Sequence, residues 1–370
     1  FSAMRGLYVH IPFCLKKCSY CDFVSYSGAF GLEDDYVNAL LSEFASFRGE
    51  KVDTVYFGGG TPTSLKMENL TRLLDGVFSS FHVAQDAEVT IECNPKTADF
   101  SKFRALLSHG ANRLSIGVQT FDEQCLKAIG RVHAADDAKR CIQDAARAGF
   151  LNLSADLMFG LPGQSVASAV ESIEIAAAMP VRHISCYGLI LEEHTPLWEQ
   201  VQAGTVSLPE EDAEFSMYCE MKNALNSRGF HQYEISNFAK DGFSSRHNLK
   251  YWNCEEYIGC GAAAPSYFEG ARFCHGSNLL DYIQNPAARE DVTVLDKEEQ
   301  MSEFLILGLR KTAGVSETEF FARFGGSMNE RYNNVIEKFT KAGLLVRDGG
   351  VLRFSEQGVY VSNTVLCEFV

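Results

Sequence analysis

Six short apolar runs, rich in β-branched and aromatic residues, recur along the first half of the chain with helical stretches between them. That alternation restricts the fold more than any other feature. LYVHI from Leu7, TVYFGG from Thr54, EVTIEC from Glu88, RLSIGV from Arg113, LNLSADLMFG from Leu151 and RHISCYGL from Arg182 read as strands. DDYVNALLSEFASF from Asp34 has apolar residues at helical spacing behind an acidic first turn, and further helices are expected after Lys66, around Phe103, through Arg147 and from Ser165. Nearly continuous apolar strands alternating with helices imply a parallel sheet. Right-handed crossovers curl such a sheet into a partial or full parallel (βα) barrel of about six βα units. In a barrel of this kind the chemistry belongs at the C-terminal ends of the strands.

The first strand end carries the strongest signal. CLKKCSYCDF places Cys14, Cys18 and Cys21 in one short loop, and then Asp22 and Phe23 follow where a fourth cysteine would extend the cluster. The chain has 12 cysteines. The others are scattered and read as small buried apolar residues, and without a secretory segment or a second close group the thiols are expected to be reduced. Three thiols with no histidine nearby favour an iron–sulfur cluster, with a zinc loop as the alternative. Three thiolates leave one iron of a [4Fe-4S] cube open. That iron can take the amino and carboxylate groups of S-adenosylmethionine (SAM), whose C–S bond an injected electron cleaves to a 5′-deoxyadenosyl radical. An electron donor for the cluster is therefore implied.

Other strand ends carry polar groups as well. GGGTPT, Gly58 to Thr63, lets bare backbone approach a ligand, although alone it is also a plain tight turn. Glu92 in ECNP and Gln119 in GVQT end the third and fourth strands and offer partners for ribose hydroxyls or a carboxylate. Arg131 follows in GRVH, and Asp156 stands in ADLMFGLPG at the end of the fifth. Either charge alone reads equally as a surface ion pair or a helix-end group. Their recurrence at successive strand ends favours a ligand site.

Taken together, YVHIPFC, the three cysteines, GGGTPT, ECNP, SIGVQTF, GRVH and DLMFGLPGQ resemble the oxygen-independent coproporphyrinogen III oxidase branch of the radical SAM superfamily over nearly the whole chain. The resemblance implies cluster ligation by Cys14, Cys18 and Cys21. It also implies SAM contacts from Tyr8, Gly59, Gly60, Thr61, Glu92, Gln119, Arg131 and Asp156. The oxidases of that branch carry Cys-x3-Cys-x2-Cys-x-Cys, whereas Phe23 occupies the last position here. In this the chain resembles the HemW-type haem chaperones, whose cysteine loop likewise ends in Cys-Asp-Phe. RHNLKYW adds His247, Asn248, Tyr251 and Trp252, matching the HNxxYW pattern linked to haem in that family. An imidazole can ligate haem iron and the two aromatic residues offer faces to a porphyrin, although a lone histidine among aromatics is often a hydrogen-bonded structural residue. One departure stands out. Where relatives read a histidine in a GAH-like segment after YIG, this chain has Ala264 and Pro265, so a histidine role there falls away or passes to His275.

The resemblance favours a radical SAM [4Fe-4S] protein that binds haem and delivers it to apo-haemoproteins. The alternative is a radical SAM oxidoreductase acting on a porphyrinogen. Three regions are expected: a barrel over residues 4–200, a linking region over 201–296 that covers the barrel mouth, and an α+β winged-helix-like C-terminal domain over 297–370. In the last, EFLILGLRK, SETEFFARFG and NNVIEKFTKAGLLV read as helices, and RDGGVLRF reads as a hairpin wing. A recognition helix for DNA would be basic. Here Glu330, Arg331, Glu337, Lys338 and Lys341 mix signs, and the whole chain carries a net charge of −15, so nucleic acid is not expected as a partner. No run reaches the ~20 apolar residues of a membrane span. The expected location is the cytoplasm, with peripheral contact to the inner membrane during haem delivery, as a monomer or a homodimer. Phe1, Ser2 and Ala3 ahead of Met4 read as a tag remnant.

Overall fold

The computed structural model describes residues 4–370, so the reading of Phe1, Ser2 and Ala3 lies outside the described residues. The six expected strands form: β1 (Arg5–Ile11), β2 (Lys51–Gly59), β3 (His82–Cys93), β4 (Arg113–Gln119), β5 (Asn152–Phe159) and β6 (His183–Gly188). Helices α1 (Glu33–Ser46), α2 (Met67–Ser80), α3 (Phe100–Ser108), α4 (Ala135–Ala148) and α5 (Val166–Ala177) stand between them. Strands covered on both faces need apolar or small residues at every position. All seven residues of β4, RLSIGVQ, are buried. The helices start where a side chain can satisfy the first free amides. Asp99 accepts from the Lys102 amide ahead of α3, and Ser165 accepts from the Ser168 amide ahead of α5.

Strands β1 to β6 lie side by side in chain order and all run parallel. The barrel is partial, because β6 does not return to β1. Instead the segment 201–296, expected as a cover, supplies strands to both open edges. After α6 (Glu211–Ser227), strands β7 (His231–Gln232) and β8 (Asn237–Ala239) continue the sheet beyond β6, with β8 antiparallel to it. Helix α7 (Arg246–Trp252) follows, and then β9 (Tyr257–Cys260), β10 (Pro265–Phe268), β11 (Ala271–Cys274) and β12 (Glu290–Val294) extend the other edge. Strand β9 pairs parallel with β1, setting Tyr8 opposite Gly259. An open parallel sheet leaves two rows of unpaired backbone groups, and pairing both rows removes that liability.

The C-terminal unit has its own core. Helix α8 (Lys297–Gly308), the short strand β13 (Val315–Ser316), α9 (Glu317–Phe324), α10 (Met328–Lys341) and the wing β14 (Leu345–Asp348) and β15 (Val351–Phe354) enclose Phe304, Leu305, Phe320, Phe339 and Leu352. The wing turns through Gly349 and Gly350, at φ 57° and 77°, the two positive angles a tight hairpin of this hand requires.

One buried polar cluster fastens α1 to the far edge of the sheet. His275 Nε2 lies 2.7 Å from Glu43 Oε1 and its Nδ1 lies 2.7 Å from the Ala288 carbonyl. Both partners only accept, so both ring nitrogens carry protons and His275 is a cation paired with a buried carboxylate. The Tyr282 hydroxyl and the Gly261 amide also donate to Glu43. The Glu43 carboxylate holds the His275 ring above its ordinary value against the opposing effect of burial. Removing one member of a buried pair strands the other, so His275→Ala is expected to cost about 3 kcal/mol in a denaturant titration. A raised folded value means that the contribution is fully present below about pH 6.5, the unfolded value, and is lost as pH rises through the folded one. The stability gap between wild type and variant is therefore widest in acid and narrows in alkali.

Candidate functional site

The cysteine loop leaves β1 through Pro12 and is closed by a short parallel pairing of Phe13–Cys14 with Tyr26–Ser27. Its seat is the backbone that follows β2. The Gly60 amide donates to the Ile11 carbonyl at 2.9 Å and the Thr61 amide to the Phe13 carbonyl at 2.8 Å. A Cβ on Gly60 would stand 2.8 Å from both of those carbonyl oxygens, and one on Gly59, at φ 107°, would stand 2.3 Å from the His10 ring. These glycines thus let strand end and loop pack backbone to backbone. Thr61 Oγ1 reaches Cys14 Sγ at 3.6 Å and accepts from Asn94 Nδ2 at 2.7 Å.

Arg131 anchors the far side of the loop. Its Nη1 donates to Cys18 Sγ at 3.4 Å, and its Nη2 donates to Asn94 Oδ1 and to the Gly117 carbonyl, each at 2.6 Å. The loop backbone is pinned on both sides, with the Ser19 amide donating to the Ile129 carbonyl at 3.1 Å and the Leu197 amide to the Ser19 carbonyl at 2.8 Å. Glu92 accepts from the Tyr56 hydroxyl at 2.8 Å and the Gly59 amide at 3.1 Å, yet burial pushes its carboxyl up to about 7. Asp156 is buried too, which raises it, and it accepts from Ser115, Ser154 and Ser185 at 2.9–3.0 Å. Gln119, at φ 67°, ends β4 and accepts from the Tyr187 hydroxyl at 3.2 Å.

These groups surround a cavity of about 400 Å³ lined by Cys14, Cys18, Cys21, Gly59, Gly60, Thr61, Glu92, Gln119, Arg131 and Asp156. Seven of the eight expected SAM contacts therefore share one space with all three cysteines. Tyr8 is the exception, since it faces a neighbouring cavity and bonds to His10 Nδ1 at 2.9 Å. Asn94, Met158 and Tyr187 line the first cavity and were not singled out from sequence. They obey the same strand-end rule and were legible by it.

The donor set fits an anionic iron–sulfur cube. Ser19 Oγ and Arg131 Nε, both able to donate, are buried without a partner. Burial pushes the Cys14 and Cys21 thiols up, and Arg131 lies against Cys18. Among the described residues no three His, Cys, Asp or Glu side chains converge on one point as a single ion requires. Thiols spread around a cavity suit a cube, in which each takes a different iron, better than one tetrahedral zinc.

A second cavity of about 860 Å³ adjoins the first, and Asp22, Phe23, Gly59 and Glu92 line both. Its walls include Tyr8, Tyr251, Trp252 and Tyr257 from the barrel side and Glu303, Ile306 and Leu307 from α8. Arg272 spans from β11 to α8 in a bidentate pair with Glu303, both bonds 2.6 Å. Of the four residues singled out in HNLKYW, Tyr251 and Trp252 reach this cavity. Asn248 does not line it, and its amide donates to the helix-capping Ser245 at 3.3 Å. His247 is 1% exposed and outside the lining, with Nδ1 bonded to Thr54 Oγ1 and Nε2 to the Tyr251 hydroxyl, each at 2.8 Å. Burial lowers it to about 3, so it is a neutral ring with both nitrogens engaged. The expectation that His247 meets the iron is corrected to a positioning role behind Tyr251. His275, engaged at both nitrogens as described, offers no ligand atom either.

An open parallel barrel with three cysteines at the end of its first strand defines the radical SAM class. Residues 8–176 match the Radical SAM superfamily and residues 295–361 the HemN C-terminal domain. The chain is 38% identical to the "Heme chaperone HemW" of Bacillus subtilis, covering 99% of both chains, and 33% identical to that of Escherichia coli over 98% of this chain and 97% of that one. It is 34% identical to the mouse "Radical S-adenosyl methionine domain-containing protein 1, mitochondrial", over 99% of this chain and 87% of that one. The chain belongs to the HemW family. The solved structure of the Escherichia coli coproporphyrinogen III oxidase HemN has the same fold, with a TM-score of 0.87 at 22% identity, covering 99% of this chain and 90% of that one.

Because Gly60 meets backbone and not ligand, Gly60→Ala is expected to displace the cysteine loop itself. Anaerobically reconstituted protein should then hold much less iron and sulfide than wild type and unfold at a lower temperature. Full iron content in the variant would show that the loop tolerates the added carbon.

Proposed function

We propose that this chain binds haem in the second cavity and passes it to apo-haemoproteins, while Cys14, Cys18 and Cys21 hold a [4Fe-4S] cluster with SAM beside it. The observation that carries the reading is Phe23. It is 65% exposed and stands on the wall common to both cavities, at the position where oxidases of the resembling branch carry a fourth cysteine. An apolar ring there neither ligates nor donates, but it offers a face to a flat macrocycle. The cavity beside it lies in the size range of ligand sites and is lined chiefly by aromatic and aliphatic side chains. Arg272 supplies a guanidinium fork for a propionate, in exchange for Glu303.

When bound, the cluster supplies an electron to SAM, which an external donor must replace. The chain's own residues do the rest. Arg131 and Ser19 donate toward the cysteine loop, while Glu92 and Asp156 stand where the amino and hydroxyl groups of SAM need acceptors. Tyr251 and Trp252 pack against the porphyrin, and His247 holds the Tyr251 hydroxyl. No helix among the described residues is long and apolar enough to cross a membrane. Delivery in the cytoplasm, with peripheral contact at the inner membrane, is part of the proposal, as is a monomer or a homodimer as the working unit.

The test pairs two measurements on one anaerobically reconstituted sample. Haem should bind saturably at one per chain, and Tyr251→Ala should weaken it by roughly tenfold through lost ring contact. Coproporphyrinogen should remain unconverted in the presence of SAM and reductant. Conversion to protoporphyrinogen without saturable haem binding would establish the porphyrinogen oxidoreductase instead.

A further inference from the structure

We infer that Cys254 supplies the sulfur that ligates haem iron in the second cavity. The inference rests on the haem reading of that cavity and deepens it by naming the axial ligand.

The argument proceeds through the iron-ligating atoms on the cavity wall. The histidine that reaches it, His10, points Nε2 at the Val24 carbonyl at 2.9 Å, which requires a proton on that nitrogen, and its Nδ1 takes the Tyr8 hydroxyl at 2.9 Å. Neither nitrogen has a lone pair to spare. Three phenols line the wall, and burial pushes Tyr8, Tyr251 and Tyr257 all above the ordinary tyrosine value, against the phenolate that iron would need. Tyr251 is also committed to His247.

Cys254 is the one cysteine among the lining residues. It is 7% exposed, and its sulfur makes no hydrogen bond. It follows directly on α7, two residues after Trp252, so ring faces and sulfur reach the cavity from one helix end. Its backbone stands at φ 52°, a left-handed conformation unusual for a side chain with a Cβ. That conformation is fixed by the Cys254 amide donating to the Tyr251 carbonyl at 3.1 Å and by Arg323 Nη2 donating to the Cys254 carbonyl at 3.2 Å.

A second, independent feature marks the same wall as a ligand site. Trp252 Nε1 is buried with no partner, a donor available to a bound carboxylate or to the sulfur. The charges around the sulfur also suit a thiolate. Burial pushes the thiol up to about 11, but Arg323, Arg272 and Lys311 pull it down and only Glu303 opposes them. If a haem propionate takes Arg272, Glu303 is released from its pair and can turn away to solvent. Ferric haem then binds with one exchange. The Cys254 S–H bond breaks, the sulfur lone pair forms the Fe–S bond, the proton leaves to solvent with the water that iron gives up, and no oxidation state changes.

Ferric haem loaded onto the full-length, cluster-reconstituted protein under oxidising conditions provides the test, because the oxidised cube is diamagnetic and leaves the haem EPR signal unobscured. Wild type should show the narrow g spread of a thiolate-ligated ferric haem. Cys254→Ala, and the near-isosteric Cys254→Ser should the first fold poorly, should both lose that signal, shift the Soret band and weaken binding on the order of tenfold or more. His247→Ala should weaken binding through Tyr251 while leaving the g values in place. Saturable binding with the same g values in wild type and Cys254→Ser overturns the sulfur ligand and leaves the haem reading standing. Loss of the signal in His247→Ala alone assigns the iron to histidine and also overturns it. Wild type that binds no haem overturns both, which separates the two failures.

Discussion

The contact on which the site depends is a pair of backbone hydrogen bonds, from Gly60 to Ile11 and from Thr61 to Phe13. They join the end of the second strand to the chain just beyond the first, and so determine where Cys14 sits. No side chain intervenes, because neither Gly59 nor Gly60 can carry one without striking the His10 ring or a carbonyl oxygen. Arg131 completes the seat from the other side, touching the Cys18 sulfur, Asn94 and the β4 backbone together. Three strand ends and one loop are therefore held as a unit before any ligand arrives. Such preorganisation lowers the cost of binding.

The two cavities are not independent. Glu92 lines both, and with its carboxyl raised to about 7 its charge responds to whatever enters either side. A positively charged sulfonium in the first cavity favours the carboxylate, and an apolar macrocycle in the second favours the acid. Phe23 stands on the same shared wall. The two ligands of this protein are thus coupled through one carboxyl and one aromatic ring, with no conformational change required.

Much of the fold was legible because its signal is local. Six apolar runs separated by amphipathic stretches admit few arrangements, and parallel strands pool their C-terminal ends, so Glu92, Gln119, Arg131 and Asp156 could be placed at one site from order alone. What escaped was set by tertiary pairing. Nothing in YIGC or RFC states that these short strands cap the open edges of the barrel, since an edge partner is chosen by geometry and not by pattern. Tyr8 belongs to β1 as read, but strand alternation and the register with β9 turn it toward the second cavity. His247 carried a persuasive motif, yet its environment is created by Thr54, 193 residues away. Cys254 drew no attention because an isolated cysteine in a sequence has no neighbours until the fold supplies them.

The pairing of β1 with β9 has a consequence for the order in which the molecule can be made. The strand that carries the cysteine loop is among the first synthesised, but one of its edges is completed by residues 257–260. Until those residues emerge, β1 is an edge strand with unpaired amides, and the wall of the second cavity does not exist. Loop closure over that distance is slow relative to local folding. A growing chain therefore exposes its three thiols well before the protein can enclose anything beside them, so the cluster can be loaded early and the haem only late. Assembly acquires a fixed sequence from topology alone.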